Sequence, residues 1–239
     1  MKINWNYIKL AFLLVLVVGL FAFSSKKNDE RIVSDPEINF NGEENLFITH
    51  ETVSKLLIVN QGGVKNVAKE TIDLNLLESA LNSNPMIKSA QVFVDVNGHL
   101  VAEVEQKKPI ARVEDSVSFY IDDSGNYMPL STNYTARVPL VTGNVSKTDL
   151  KSVYEMAMKV KNDVFLNKHV ISIHQYKDKS ISLRLRQCSF EVYVGGLEKL
   201  DKKINNLKVF YKKAFKEQIL NNYSMVNLQF DSQVVCTKS

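Results

Sequence analysis

The sequence predicts an α+β protein: one N-terminal membrane-crossing helix, a small β-α-α-β-β unit, and a larger mixed unit with a mostly antiparallel sheet and helices. Three observations lead there. An uncharged apolar run extends from Leu10 to Phe23, two alternating segments flank Asn97-Gly98, and helical-period stripes interleave with short alternating segments after Pro109. With 239 residues, 45% hydrophobic and 23% charged, the chain has apolar surface for real cores, which excludes wholesale disorder; its two cysteines exclude a disulfide-dense scaffold.

The run LAFLLVLVVGLFAF rises about 21 Å as a helix, and about 28 Å when counted from Trp5, close to one hydrocarbon core once Lys9 snorkels. A cleaved signal peptide has a similar apolar core. No A-x-A site follows, however, and the flank goes directly to Ser24-Ser25-Lys26-Lys27, so the run reads as an uncleaved anchor. Lys2 and Lys9 on one side and Lys26, Lys27 and Arg31 on the other leave the orientation undecided by charge. Residues 1–25 are the tip and transmembrane helix, and the polar residues 26–35 read as a linker.

A first domain over 36–108 opens with the alternating Ile38 and Phe40 and a turn at Gly42. Thr49 is placed to cap a helix carrying Val53, Leu56 and Leu57, which Gln61-Gly62-Gly63 stops. Asp73 opens a second helix with Leu74, Leu77, Ala80 and Leu81, ended by Asn84-Pro85. Ala90, Val92, Val94 and Val96 alternate with Gln91, Phe93 and Asp95, and Leu100, Ala102 and Val104 with His99, Val101, Glu103 and Glu105, on either side of Asn97-Gly98 as a hairpin does.

The second domain, 109–239, begins with strands at Ile110–Val113, Val117–Ile121 and Tyr127–Leu130. Ser146 and Asp149 look like a capping box for a helix through Val153, Ala157, Val160 and Val164. Strands are predicted at His169–Tyr176, Ile181–Arg186 and Phe190–Val194. A helix from Leu197 to Glu217 and a last strand at Met225–Phe230 complete the unit.

Residues able to carry chemistry are sparse. Asp123-Ser124-Gly125 resembles an aspartic-protease loop, but it occurs once, inside a strand–turn–strand pattern, and reads as a hairpin turn. His50, His99, His169 and His174 lack metal-ligand spacing, and no metal or cofactor motif is present. Cys188 and Cys236 could pair in an oxidising compartment, with two free thiols as the alternative. The helix Leu197–Glu217 holds seven lysines, opposite a regular apolar stripe, and reads as a solvated face, with an anionic surface or acidic partner as the sharper option. The formal charge of +4 falls to about +2 without Lys2 and Lys9, and there is no nucleic-acid signature.

Several motifs occur in a telling order. Asn84-Pro-Met-Ile-Lys-Ser-Ala-Gln-Val92 with the hairpin to Val104 looks like "P-x-V-x-x-A-x-V". Glu105-Gln-Lys-Lys-Pro-Ile-Ala111 looks like "E-R-x-P-x-A", and Tyr120-Ile-Asp-Asp-Ser-Gly125 like "V-D-x-x-G". Val138-Pro-Leu-Val-Thr-Gly143 looks like "L-P-x-L-x-G", Val192-Tyr-Val-Gly-Gly196 with Lys203 like "Y-x-G-x", and Val226-Asn-Leu-Gln-Phe-Asp-Ser232 like "V-D-L-R-Y-x-x". In this order they resemble the FtsQ/DivIB cell-division family over nearly the whole chain. Lys108 and Gln229 depart from it, standing where the family has arginine.

The resemblance implies a POTRA domain at 36–108 and an FtsQ/DivIB-type β domain at 109–239. It implies a non-catalytic bitopic scaffold in the inner membrane at the division septum, with a cytoplasmic N-terminus and periplasmic domains. The implied partners are FtsB-like and FtsL-like proteins, with FtsK-like and septal peptidoglycan-synthesis proteins as further ones. FtsB-like proteins would be bound by strand addition at the edge of the last strand, on Leu228, Gln229, Phe230 and Ser232. The alternatives are a POTRA-type component of envelope protein transport and a dimeric aspartic protease using Asp123.

Overall fold

The computed structural model describes residues 5–29, 36–43, 45–60, 72–95, 98–115, 117–230 and 233–239. Helix α1 (Trp5–Asp29) carries the apolar run, with Lys9–Lys26 long and apolar enough to cross a membrane. It continues past Ser25, so the first residues of the predicted linker are helical. The chain divides into two compact units, Met1–Gln106 and Lys107–Ser239.

In the first unit the order is β1 (Glu37–Asn41), α2 (His50–Asn60), α3 (Leu74–Asn82), β2 (Ile87–Val94) and β3 (Leu100–Gln106). β3 is central, parallel to β1 and antiparallel to β2. The period-two pattern delivers Ala90, Val92, Ala102 and Val104 to one face, where they meet Val53, Leu57, Leu77 and Leu81 of the helices. The Asp73 carboxylate accepts from the Leu76 N–H at 3.0 Å, and the Thr49 hydroxyl from the Thr52 N–H at 3.2 Å, as caps should. The predicted stop at Gln61-Gly62-Gly63 and the turn residue Asn97 lie outside the described residues. Buried Gln106 ties the end of β3 to the segment before α2: its side-chain oxygen accepts from Phe47 and Ile48 N–H at 3.0 and 3.1 Å, and its nitrogen donates to Ile48 O at 2.9 Å.

The second unit contains β4 (Pro109–Val113), β5 (Phe119–Asp122), β6 (Tyr127–Met128), β7 (Leu140–Gly143), α4 (Lys151–Asn162), α5 (Val164–His169), β8 (Val170–Gln175), β9 (Ile181–Leu185), β10 (Glu191–Gly195), α6 (Leu200–Lys216), β11 (Tyr223–Asn227) and β12 (Val235–Lys238). One nine-stranded sheet has the order β12-β11-β10-β9-β8-β7-β4-β5-β6. Five neighbour pairs are antiparallel. The three parallel pairs, β4–β7, β7–β8 and β10–β11, each need a crossover, supplied respectively by the β5–β6 hairpin, by α4–α5 and by α6. Val141, Ile173, Leu183, Val192 and Val226 face Val153, Met156 and Val160 of α4 and Ile204 and Leu207 of α6 in a single core.

The structure corrects several sequence expectations. Ser146 does not cap α4: it bridges Asp149 in a turn and its hydroxyl pairs with Thr148, and the helix begins at Lys151 without a side-chain cap. The helical stripe expected to run through Val164 breaks at Asp163, whose carboxylate accepts from the Phe165 and Leu166 N–H groups at 3.0 and 3.1 Å and starts α5. His169 therefore ends a helix and does not open a strand. The last predicted strand stops at Asn227, and a further strand, β12, follows it.

Gly143 ends β7 with φ +95°, and a Cβ there would lie 2.2 Å from the Gln175 carbonyl oxygen. Only glycine fits this close approach between β7 and the end of β8. Gly143→Ala should cost at least about 1 kcal/mol in urea unfolding; an unchanged midpoint would show that the β7–β8 junction is not this tight.

Candidate functional site

The C-terminal end of the large sheet is where the predicted binding residues fall, and the backbone there is arranged differently from the expectation. β11 is an interior strand, parallel to β10 on one side and antiparallel to β12 on the other. Leu228 continues the β10 ladder by donating its N–H to Tyr193 O at 2.9 Å, and its side chain is buried in the core. The Gln229 N–H donates to Asn227 Oδ1 at 2.9 Å, and its side chain lies against Gly195, where a Cβ would meet Gln229 Cγ at 2.8 Å. Phe230 is 46% exposed, and Ser232 lies outside the described residues. Leu228, Gln229 and Phe230 therefore do not form one edge surface.

The edge belongs to β12, which pairs only with β11 among the described strands. Val235, its first residue, is exposed. Sequence reasoning missed this strand; the β-branched run Val234-Val235 with Thr237 was the available signal.

Two residue rows cross the sheet face opposite the helices. Leu140, Ser172, Arg184, Glu191, Met225 and Thr237 are in register from β7 to β12, and so are Thr142, His174, Ser182, Tyr193, Asn227 and Val235. The face is knitted by hydrogen bonds. Thr142 Oγ1 pairs with His174 Nδ1 at 2.9 Å, and Tyr176 OH donates to Glu191 Oε1 at 3.0 Å, as does the Ser182 hydroxyl. Burial pushes the Tyr176 phenol above its ordinary pKa and keeps it a donor. A cavity of about 930 Å³ opens here, lined by His174, Tyr176, Tyr193, Met225 and Asn227, and so reaches the strand beside the free edge.

The other candidates turn out to hold the fold. Asp122-Asp123-Ser124-Gly125 forms a tight hairpin: Asp122 N–H donates to Asn126 O at 2.9 Å, Gly125 has φ +82°, and the Asp122 carboxylate accepts from the Ser124 and Asn126 N–H groups. That carboxylate is buried and pairs with Lys107 Nζ at 2.9 Å. Asp123 sits beside it, its N–H donating to Lys108 O at 2.9 Å. Lys203, one of the seven lysines of the basic helix, is buried instead of solvated; its ammonium donates to Val194 O and Gly196 O at 3.0 and 2.6 Å, fastening β10 to α6. Lys208 pairs with Asp163 at 2.5 Å. Cys188 and Cys236 are free thiols, and burial pushes both above the ordinary cysteine pKa. Among the described residues no group of His, Cys, Asp and Glu could hold a metal ion.

A family model described as FtsQ/DivIB, C-terminal related, matches residues 108–237, and one described as a POTRA-like domain matches residues 34–105. No curated protein matches the chain. The chain belongs to the FtsQ/DivIB family. It is a divergent member, its small β-α-α-β-β unit is a POTRA-like domain, and the family is one of division-related scaffolds that are generally non-catalytic.

Two outcomes test the structural roles. Asp122→Ala leaves Lys107 without its buried partner and should cost about 3 kcal/mol or more in urea unfolding, with Asp123→Asn much milder; equal effects would contradict the assignment. His169 packs between Phe165 and Tyr211, and burial, with the Lys168 and Arg186 charges, pushes its pKa below the usual value. The unfolded chain then binds more protons than the folded one. His169 should therefore cost stability as pH falls from about 6.5 towards its lowered folded pKa. His169→Gln should flatten unfolding midpoints across that window, and an unchanged slope would exclude the effect.

Proposed function

We propose that the chain is a non-catalytic bitopic scaffold of the bacterial divisome, linking early division-ring components to septal peptidoglycan synthesis. The observation that supports this reading is the outer edge of β12, which pairs with β11 alone among the described strands. A strand at the end of a sheet presents a row of free N–H and C=O groups, and an extended segment of an FtsB-like partner, held with an FtsL-like protein, adds to it as the next strand. Backbone bonds supply affinity. Selectivity comes from side chains that continue the two rows ending at Thr237 and Val235, and from the cavity on the same face, which gives the rest of the partner segment a place to settle. Exposed Phe230 is available for apolar contact with a partner, whereas Leu228 acts from the core. α1 anchors the chain in the inner membrane, with the N-terminus cytoplasmic and the two domains periplasmic at the septum. FtsK-like and septal synthesis proteins are the further partners of this scaffold.

Cys236→Pro and Thr237→Pro test the edge. Neighbouring residues of a strand point their N–H groups to opposite sides, so one proline removes an outward donor and the other an inward one. The outward substitution should leave circular dichroism unchanged and reduce capture of a purified FtsB-like partner at least tenfold. If both variants fold and bind normally, β12 is not the docking edge.

A further inference from the structure

One side of α6 packs into the core through Ile204, Leu207 and Ala214, and the opposite side is basic. Lys203 is buried and Lys208 pairs with Asp163, but Lys202, Lys212, Lys213 and Lys216 are exposed. Val209, Lys212, Lys213 and Lys216 stand at i, i+3, i+4 and i+7 and share one outward stripe. The nearby carboxylates of α4–α6 are engaged elsewhere, Asp163 with Lys208 and Asp201 with Lys159. Glu217 follows the last turn and is exposed, so the stripe keeps a net positive charge.

Apolar side chains interrupt this basic surface. Val164, Val209 and Phe215 are 88%, 70% and 64% exposed. All three are tied to the Asp163–Lys208 bridge between α5 and α6: Val164 follows Asp163, Val209 follows Lys208, and Phe215 stacks on Tyr211 at 6.1 Å, which meets the Phe165 ring at 5.1 Å. His169 completes the aromatic ledge, 4.7 Å from Phe165 and 5.0 Å from Tyr211, and the exposed cations Lys168 and Arg186 stand beside it. A face that only meets water has no use for the valines and the ring. Exposure this high means that they project from the surface instead of lining a groove, which suits insertion among lipid headgroups better than the seating of a peptide.

We propose that the outward side of α5 and α6 rests on an anionic lipid bilayer, with Lys168, Arg186, Lys212, Lys213 and Lys216 meeting lipid phosphates and Val164, Val209 and Phe215 inserted at headgroup depth. Cations and apolar side chains on one surface match a bilayer that is anionic outside and apolar beneath. The proposal rests on the reading of α1 as an anchor, which gives the same chain a membrane to meet. The contact is reversible, weakens as salt screens the charges, and shares no residue with the β12 edge.

The test uses the full chain reconstituted into nanodiscs of phosphatidylcholine alone or of an equal mixture with phosphatidylglycerol. Lysines are mapped by mass spectrometry after brief acetylation with a water-soluble reagent. Lys212, Lys213 and Lys216 should react severalfold more slowly in the anionic discs, while exposed Lys151 and Lys177 of the same domain react alike in both, and raised salt should remove the difference. Lys212→Gln with Lys216→Gln and Phe215→Ser, all at exposed positions, should leave circular dichroism unchanged and remove the protection of Lys213. Equal labelling of the α6 lysines in the two discs, or slowing no greater than that of Lys151 and Lys177, would overturn the proposal. So would protection by a soluble Asp-Glu-Asp-Phe-Glu-Asp peptide, in phosphatidylcholine discs, equal to that given by the anionic lipid, since the face would then be a protein-docking surface. Co-elution of the chain with both discs reports insertion of α1; a chain that co-elutes with neither would overturn the anchor reading itself, an outcome distinct from failure of the docking face.

Discussion

An open sheet must end somewhere, and the parallel pairing of β10 with β11 decides where the large sheet of this protein ends. Once α6 has carried the chain over the sheet and returned it beside β10, the Tyr193–Leu228 hydrogen bond and the burial of Leu228 fix β11 in the interior. The remaining residues have one place to add, outside β11, and they form the free edge. Buried Lys203 reinforces the same junction. Its ammonium ties the carbonyls of Val194 and Gly196 at the end of β10 to the start of α6, so the crossover and the strand beside it are held by one side chain. A charge spent in this way serves architecture, because a buried ammonium is stable only where carbonyls replace its water.

Edges are also where the two domains differ in design. The POTRA-like sheet closes one edge with side chains of α3 and leaves the other to the short β1. The far edge of the large sheet is the two-residue β6, which gives little ladder to pair with and is held by the buried Asp122 turn. Of the edges on the large sheet, β12 thus has the longer ladder left over among the described strands, and it adjoins the face that carries the cavity lined by His174, Tyr176 and Tyr193.

Much of the first domain could be read from the sequence because its signals are local. The alternation from Ala90 to Val104 and the caps at Thr49 and Asp73 each involve residues within a few positions, and the structure places them as expected. The second domain was harder where long-range contacts override local pattern. Val160 and Val164 look like one helix, yet Asp163 caps a new one because Lys208, from α6, holds its carboxylate in place. Burial opposes that ionised state, but the ammonium and the Leu166 and Phe165 amides together lower the pKa. β12 escaped notice because it is short, exposed and without alternation; it exists through backbone bonds to β11. β11 was expected at the sheet edge and proves interior for the same reason: a sequence shows that a strand is present, while its position in the sheet depends on partners far along the chain.

The central claim is that a partner strand adds to β12. Amide hydrogen exchange of the full chain, with and without a purified FtsB-like partner, measures it most directly. Exchange should slow at outward amides of Val235–Lys238, with β11 unchanged because its ladder is already complete on both sides. Partner binding that leaves the β12 amides exchanging as in the free protein would contradict it.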